Sequence, residues 1–326
     1  MRPDGPGRQA ASDVAASARL GGAPVFRVAL VQPLSHHPPD DQRNVQDAVR
    51  YVERAADAGA DVVTFPETYP GPFRMPMAFD PAPAICEVAR RCGVYVQYGT
   101  LEPIDARGTR AHNDLILVGP DGSVAGTYRR THPPGPWIYR GGPVWDFDYV
   151  PGDDFPVMET RHGTFGLAMC SEAYMPEVTR ALALGGAEVI LLPAGTDKQR
   201  LWATWRNLIW SRAIENLAVV ITTQNLFSVR DRGLAMVALP EEIVFETVLP
   251  GTFIVEIDLT RVRQLRAERD DVHSQERNAA KAGILSQWQR PELYGALRWR
   301  GPGGGPIRAI DPSEPARLAD QGSPPI

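Results

Sequence analysis

Apolar positions along the chain fall into short runs separated by segments with helical spacing. Phe26–Gln32 (FRVALVQ) is an apolar run of strand length. Asp41–Ala58 comes next, with Val45, Ala48, Val49, Val52 and Ala56 near the helical period, which predicts an amphipathic helix closed by Gly59. Asp61–Glu67 (DVVTFPE) predicts a second strand, broken at Pro66, whose ring cannot donate to a ladder. A helix is expected over Ala84–Arg91, ended by Gly93, and then strands at Val94–Thr100, Asp114–Val118 and Val124–Arg129, the last two joined by a turn at Asp121–Gly122.

Thr131–Pro156 interrupts this rhythm. The segment is rich in Pro, Gly and aromatics, and is too long for a plain connector, so it is either functional or disordered. Trp137, Tyr139, Trp145, Phe147 and Tyr149 argue for order. Strand–helix alternation then resumes. Strands are expected at Thr164–Cys170, Glu188–Pro193, Ala218–Gln224, Leu234–Leu239, Val244–Val248 and Thr252–Leu259, and helices at Pro176–Leu184 and Leu201–Asn216. Trp202, Trp205 and Trp210 on the last helix do not share one face. Such alternation predicts an α/β layered protein. An echo between Thr64-Phe65-Pro66-Glu67 and Tyr174-Met175-Pro176-Glu177 suggests two related halves. Residues 1–22 carry Gly, Pro and Ser with no apolar core and read as a disordered lead rather than a signal peptide. Residues 271–326 read as a C-terminal extension, an oligomer contact and then a Gly/Pro-rich flexible tail.

Composition narrows the function without naming it. The 326 residues are 43% hydrophobic and 22% charged, with a net charge of −5, which gives no electrostatic reason to bind nucleic acid or anionic membranes. No run of 18 apolar residues predicts a membrane span. Lys198 and Lys281 are the only lysines among 34 basic residues, a bias that fits GC-rich coding and limits the chemistry available. Cys86, Cys92 and Cys170 form neither a disulfide framework nor a zinc pattern, and the six histidines lack ligand spacing. A cytoplasmic location and no metal or cofactor are expected.

Three polar positions stand where apolar runs end. Glu67 closes a strand, a place where α/β proteins put functional side chains, although a solvated carboxylate fits as well. Cys170 closes TFGLAMC just where Ser171 and Glu172 turn the chain polar. It is either a small buried hydrophobe or a nucleophile supplied with a base and backbone N–H donors. Cys86 and Cys92 lie in an Ala-rich helix and read as structural. Arg129-Arg130 at a third strand exit is, taken alone, a surface pair.

In this order, Phe65-Pro66-Glu67, Tyr128-Arg129-Arg130-Thr131-His132, and Cys170 through Pro176-Glu177 resemble the nitrilase, or carbon–nitrogen hydrolase, superfamily. Weaker matches at Arg27–Gln32, Ala181–Pro193 and Arg212–Asn216 extend the resemblance from about Val25 to Arg266. It implies a four-layer α-β-β-α sandwich in a single domain, at residues 23–270, and a homodimer or higher homo-oligomer. It also implies a Glu–Lys–Cys triad acting on a small amide or nitrile. Carried onto this chain, Glu67 is the base, Cys170 the nucleophile, and the Ser171 N–H an oxyanion donor. The triad lysine falls on Arg130. An arginine keeps the charge but is longer, planar and never a proton donor. It can hold an oxyanion, bind a substrate carboxylate, or leave the site catalytically weak. Many members carry a second glutamate before the cysteine strand, where this chain offers only Asp146 and Asp148, as substitutes or as ordinary loop carboxylates. His132, Trp145, Glu172, Tyr174 and Asn225 are further candidates for the pocket. The function so implied is a cysteine-dependent amidase, since Ser-Glu rather than Trp-Glu comes after the cysteine. The alternatives are a nitrilase, an amide-forming acyltransferase or cyclase, and a non-catalytic binding protein.

Overall fold

The computed structural model describes residues 25–105, 108–132, 138–195, 201–267, 283–286 and 289–293. The expected N-terminal lead, most of the C-terminal extension, Trp137, Lys198 and Lys281 lie outside the described residues.

The first half of the chain builds one sheet. β1 (Val25–Gln32) leads through a 3-10 turn at Asp40–Gln42 into α1 (Arg43–Asp57), then β2 (Val62–Thr64), α2 (Ala82–Cys92) and β3 (Tyr95–Pro103). β1, β2 and β3 pair in parallel. α1 buries Asn44, Ala48, Val52 and Ala55; of the expected stripe Ala48 and Val52 are buried, while Val45, Val49 and Ala56 are only partly so. α2 stops at Gly93, whose φ of 66° is the left-handed turn that glycine accepts without strain. β4 (Arg110–Val118) and β5 (Val124–Arg129) add antiparallel neighbours. Asp121–Gly122 closes the turn between them, with the Gly122 N–H on the Gly119 carbonyl.

The second half repeats this plan. β7 (Val157–Thr160), β8 (Gly163–Leu167), α3 (Pro176–Leu184), β9 (Val189–Leu191), α4 (Trp202–Asn216), β10 (Val219–Thr222), β11 (Ala235–Ala238) and β12 (Ile243–Thr247) succeed one another in chain order. β8, β9 and β10 are parallel, and β11 and β12 are antiparallel. β13 (Gly251–Asp258) then returns to the first sheet beside β1, and α5 (Thr260–Ala267) comes after it. The sheets run β13-β1-β2-β3-β4-β5, with β6 (Asp148–Tyr149) on β4, and β12-β11-β10-β9-β8-β7.

Three apolar layers make up the core, one between the halves and one on the outer face of each. Phe26, Val28, Leu30, Leu115, Leu117, Phe165, Leu167, Val189 and Val219 meet between the sheets. Ala48, Val52, Ile85 and Val88 press α1 and α2 on the outer face of the first sheet. Val178, Leu182, Trp205 and Ile209 do the same for α3 and α4 on the second. The architecture is therefore the expected four-layer α-β-β-α sandwich. Trp205 is fully buried, whereas Trp202 and Trp210 only flank the layer. No helix among the described residues is long and apolar enough to cross a membrane.

Several boundaries differ from the sequence reading. The strand expected over Asp61–Glu67 stops at Thr64, so Glu67 stands in a turn beyond it. The strand expected to end at Cys170 ends at Leu167, and Cys170 opens a 3-10 turn, Cys170–Tyr174. β6, β7 and α5 were not expected. β6 pairs only at Arg110–Asp148 and Ala111–Tyr149, too short a ladder to show as a period. The two-fold echo points to the wrong equivalence. Glu67 lies beyond β2, the middle parallel strand of its sheet, whereas Tyr174–Glu177 lies beyond β8, the first of the other.

Candidate active site

Parallel strands from both sheets end at one edge of the sandwich, and the polar residues of the site lie there. Glu67 sits in a turn that doubles back over β3. The Tyr69 N–H bonds the Pro66 carbonyl and the Gly99 N–H bonds the Tyr69 carbonyl. A Cβ at Gly99 would lie 2.3 Å from the Thr68 nitrogen, so only glycine admits this turn. Asn225, at the end of β10, donates to the Glu67 backbone carbonyl at 2.8 Å and is itself fixed by the Ser35 hydroxyl at 2.7 Å.

The Glu67 side chain is 2% exposed and used asymmetrically. Oε1 accepts from Tyr139 Oη at 2.7 Å, Asn113 Nδ2 at 3.0 Å and Arg130 Nη1 at 3.2 Å. Oε2 faces Gly195, just past β9, where a Cβ would stand 2.8 Å from it and 3.2 Å from the Trp145 ring. One oxygen is thus an anchor, and the other points toward a wall kept open by a glycine.

Arg130 comes directly after β5 and is as buried as Glu67, at 1%. Its N–H bonds the Asn113 carbonyl, and its own carbonyl accepts from Gly152 N–H and the Tyr149 hydroxyl. The guanidinium reaches Glu67 and the Tyr139 hydroxyl with Nη1, and Ser171 Oγ with Nη2 at 2.5 Å. Burial pulls its pKa down, but Tyr139, Glu67, Cys170 and Glu172 around it prevail and hold it above the ordinary arginine value. The Tyr139 phenol is pushed well above its ordinary range, first by burial, with Arg130 opposing and Glu67 adding to the rise. It therefore stays protonated and serves as a hydrogen-bond donor to Glu67.

Cys170 is half-buried, with φ at 51°, a left-handed conformation that a non-glycine residue adopts at a cost of about 1 kcal/mol or more. The turn is secured from both sides. The Cys170 N–H bonds the Pro193 carbonyl at 2.8 Å. Fully buried Glu172 takes the Met169 N–H on Oε2 at 2.7 Å, and on Oε1 accepts from the Tyr128 hydroxyl at 2.6 Å, the Thr131 N–H at 2.9 Å and the His132 N–H at 3.0 Å. Glu172 thereby ties the cysteine turn of the second sheet to the Arg130 segment of the first.

The structure separates the remaining candidates. Trp145 lies beside Glu67 and Gly195, in an aromatic group with Phe73, Tyr139 and Phe227. Ser171 joins the site through its hydroxyl, by way of Arg130. His132 stacks on Phe155, with its side chain turned outward. Tyr174 is 43% exposed and leans on Trp205, on the α4 side. Asp146 accepts from the Gly141 N–H and Asp148 pairs with Arg140, so each is engaged within the loop. Tyr139 and Asn113 were missed as donors to Glu67. Asn113-Asp114, two polar residues entering an apolar strand, was the signal for one. Tyr139 stood among the loop aromatics with nothing to single it out. Among the described residues, no cluster of three His, Cys, Asp or Glu side chains could hold a metal ion.

Two facing sheets thus lie between helical layers, and a carboxylate, a guanidinium and a cysteine stand beyond their strand ends. The chain belongs to the carbon–nitrogen hydrolase family, which it matches over residues 27–267. It is 28% identical over 288 residues to deaminated glutathione amidase of Homo sapiens, covering 79% of this chain and 81% of that protein. It is also 28% identical over 210 residues to omega-amidase NIT2 of Homo sapiens, covering 60% of this chain and 73% of that one. The NitN amidase of Nesterenkonia sp. AN1 shares the fold, with a TM-score of 0.64 at 20% identity, over 83% of this chain and 99% of the other.

Proposed function

We propose that this protein is a cysteine-dependent amidase that cleaves a small amide through a thioester on Cys170, with Glu67 as base and Arg130 in place of the family's lysine. One observation carries the reading. A single buried guanidinium reaches the Glu67 carboxylate and the residue next to Cys170 at once. The relatives named as amidases support the choice of bond. So does the Nesterenkonia amidase variant described with the acetamide moiety of fluoroacetamide on its active-site cysteine, a chain of TM-score 0.61 to this one.

In this mechanism Glu67 takes the Cys170 thiol proton and the sulfur attacks the amide carbon. Charge moves to the carbonyl oxygen, where the Arg130 guanidinium and the Ser171 N–H stabilise it. Protonated Glu67 returns the proton to the nitrogen, and ammonia or an amine leaves. Water, deprotonated by Glu67, then attacks the thioester, releases the carboxylic acid and restores the thiol. Proton traffic rests on Glu67 alone, because Arg130 keeps its protons throughout. The aromatic group at Trp145, Phe73 and Phe227 favours substrates with an apolar arm.

The test is intact-protein mass spectrometry after incubation with a panel of amides and nitriles. The expected result is an acyl adduct on the parent protein that is missing in Cys170→Ala, with free acid accumulating only with the parent. Acyl transfer to an added amine, with no free acid, would favour the acyltransferase reading. Absence of any adduct on Cys170, together with activity appearing in Arg130→Lys, would sink the enzymatic assignment in favour of a degenerate site.

A further inference from the structure

The outer face of the first sheet carries a cavity of about 590 Å³, lined by none of Glu67, Arg130 and Cys170. β3, β4 and β5 form its floor, and the segment leading into α2 forms its wall. Tyr98, Glu102, Asp114 and Arg129 supply its polar side chains. Tyr98 is fully buried and Asp114 is 2% exposed, yet the Tyr98 hydroxyl and Asp114 Oδ1 meet no hydrogen-bond partner among the described residues. Buried polar atoms in folded proteins are nearly always paired, so two orphans in one cavity point to a ligand or solvent partner.

The charges select the ligand. Arg129 is engaged with both Glu102 oxygens, at 2.5 and 3.0 Å. Asp80 adds a further carboxyl group against that single guanidinium, which Glu102 already matches, so no free positive charge is left to draw an anion. Met77, Phe79 and Ile116 line the rest with apolar surface. The volume is that of a small-molecule site.

We propose that this cavity is a second ligand site, which takes a small primary alkylammonium ion, its nitrogen on Asp114 Oδ1 and the Tyr98 hydroxyl and its alkyl body against Met77, Phe79 and Ile116. The site depends on no part of the amidase reading. It does share its strands with the catalytic frame. Asp114 and Arg129 are register partners, and their chain neighbours Asn113 and Arg130 contact Glu67 from the other side of the sheet.

The Asp114 carboxyl is pushed up to about 8, first by burial and then by Glu102, with Arg129 opposing. The groups around it are Glu102 and Tyr98 from β3, Arg129 from β5, Asp80 ahead of α2, and Cys86 of α2, which acts on Tyr98, while His112 of β4 acts on Glu102. The acid is therefore protonated at neutral pH. An ammonium ion favours its ionised form, so binding releases a proton and tightens as pH rises toward 8.

Isothermal titration of the full chain with n-butylammonium chloride tests the site, with sodium butyrate and n-butanol as controls. Saturable binding to butylammonium alone is expected, roughly twentyfold tighter at pH 8.5 than at pH 6.5. It should weaken about tenfold or more in Asp114→Asn and in Tyr98→Phe, and be unchanged in Cys170→Ala. Melting curves of the two variants establish that they are folded, and either one suffices for the comparison. No saturation, or equal affinity in a folded variant, overturns the proposal. Loss of binding in Cys170→Ala would place the amine in the active site and overturn it equally.

Discussion

At the scale of single residues, the distinctive feature is the Tyr139 hydroxyl, placed between Arg130 and Glu67. It accepts from one and donates to the other, and its raised pKa keeps the proton on oxygen. Tyr139→Phe removes one of three donors to Glu67 Oε1 while keeping the ring in its stack with Phe147. Loss of such a bond to a charged group is worth about 2 kcal/mol. The expected outcome is a roughly tenfold or greater fall in kcat with a nearly unchanged KM, read in steady-state assays on whichever amide the mass-spectrometric panel identifies. Glu67, Arg130 and Cys170 were singled out by the order of three motifs that resemble one family, and the structure places Glu67 and Arg130 in contact, with Arg130 reaching the residue next to Cys170. Tyr139 lies in an irregular loop, where periodicity says nothing about which aromatic turns inward.

At the scale of elements, the site is a set of strand ends, and the first residues past each strand decide its role. Gly195 continues β9 into the space between Glu67 Oε2 and Trp145. Gly195→Ala would put a methyl group 2.8 Å from that oxygen. The fold should survive, since the methyl group meets side-chain atoms rather than backbone, but on the proposed mechanism activity should drop by about a hundredfold as the oxygen that would accept the proton is blocked, on the scale at which small misplacements cost an enzyme. Circular dichroism beside turnover measurements separates these effects. Helices such as Pro176–Leu184 were legible to the residue, because proline at the start and glycine after the end are local signals. Strand ends were not. DVVTFPE and TFGLAMC are apolar beyond their last ladder bond, and the turns at Thr68 and Cys170 are fixed by contacts from other strands.

At the scale of the whole molecule, the layered order was readable from strand–helix alternation, but the pairing of the halves was not. The closing strand β13 belongs to the sheet begun by β1, a partner more than 200 residues away in the chain, which no local pattern encodes. The outer face of that sheet also sets a pH dependence. An aspartate in the unfolded chain titrates near about 3.9, and Asp114 in the fold near about 8. Between these values the folded state keeps a proton that the unfolded chain gives up, so this group's contribution lowers stability as pH rises through the window and levels off above it. Asp114→Asn should remove that slope. Thermal melts are expected to show a gain on the order of 5 kcal/mol at pH 8, fading toward pH 4. A variant no more stable than the parent at pH 8 would show that the carboxyl is ionised without penalty.

The loop between β5 and β7 delivers Tyr139 to Glu67 and Trp145 to the wall opposite. On the proposed mechanism, recognition of the substrate and support of the base are therefore inherited as one piece. A loop grafted from a relative to change specificity would carry away a donor from Glu67 unless a tyrosine is kept in register. In this chain a new specificity cannot be acquired at the wall without renegotiating the chemistry behind it.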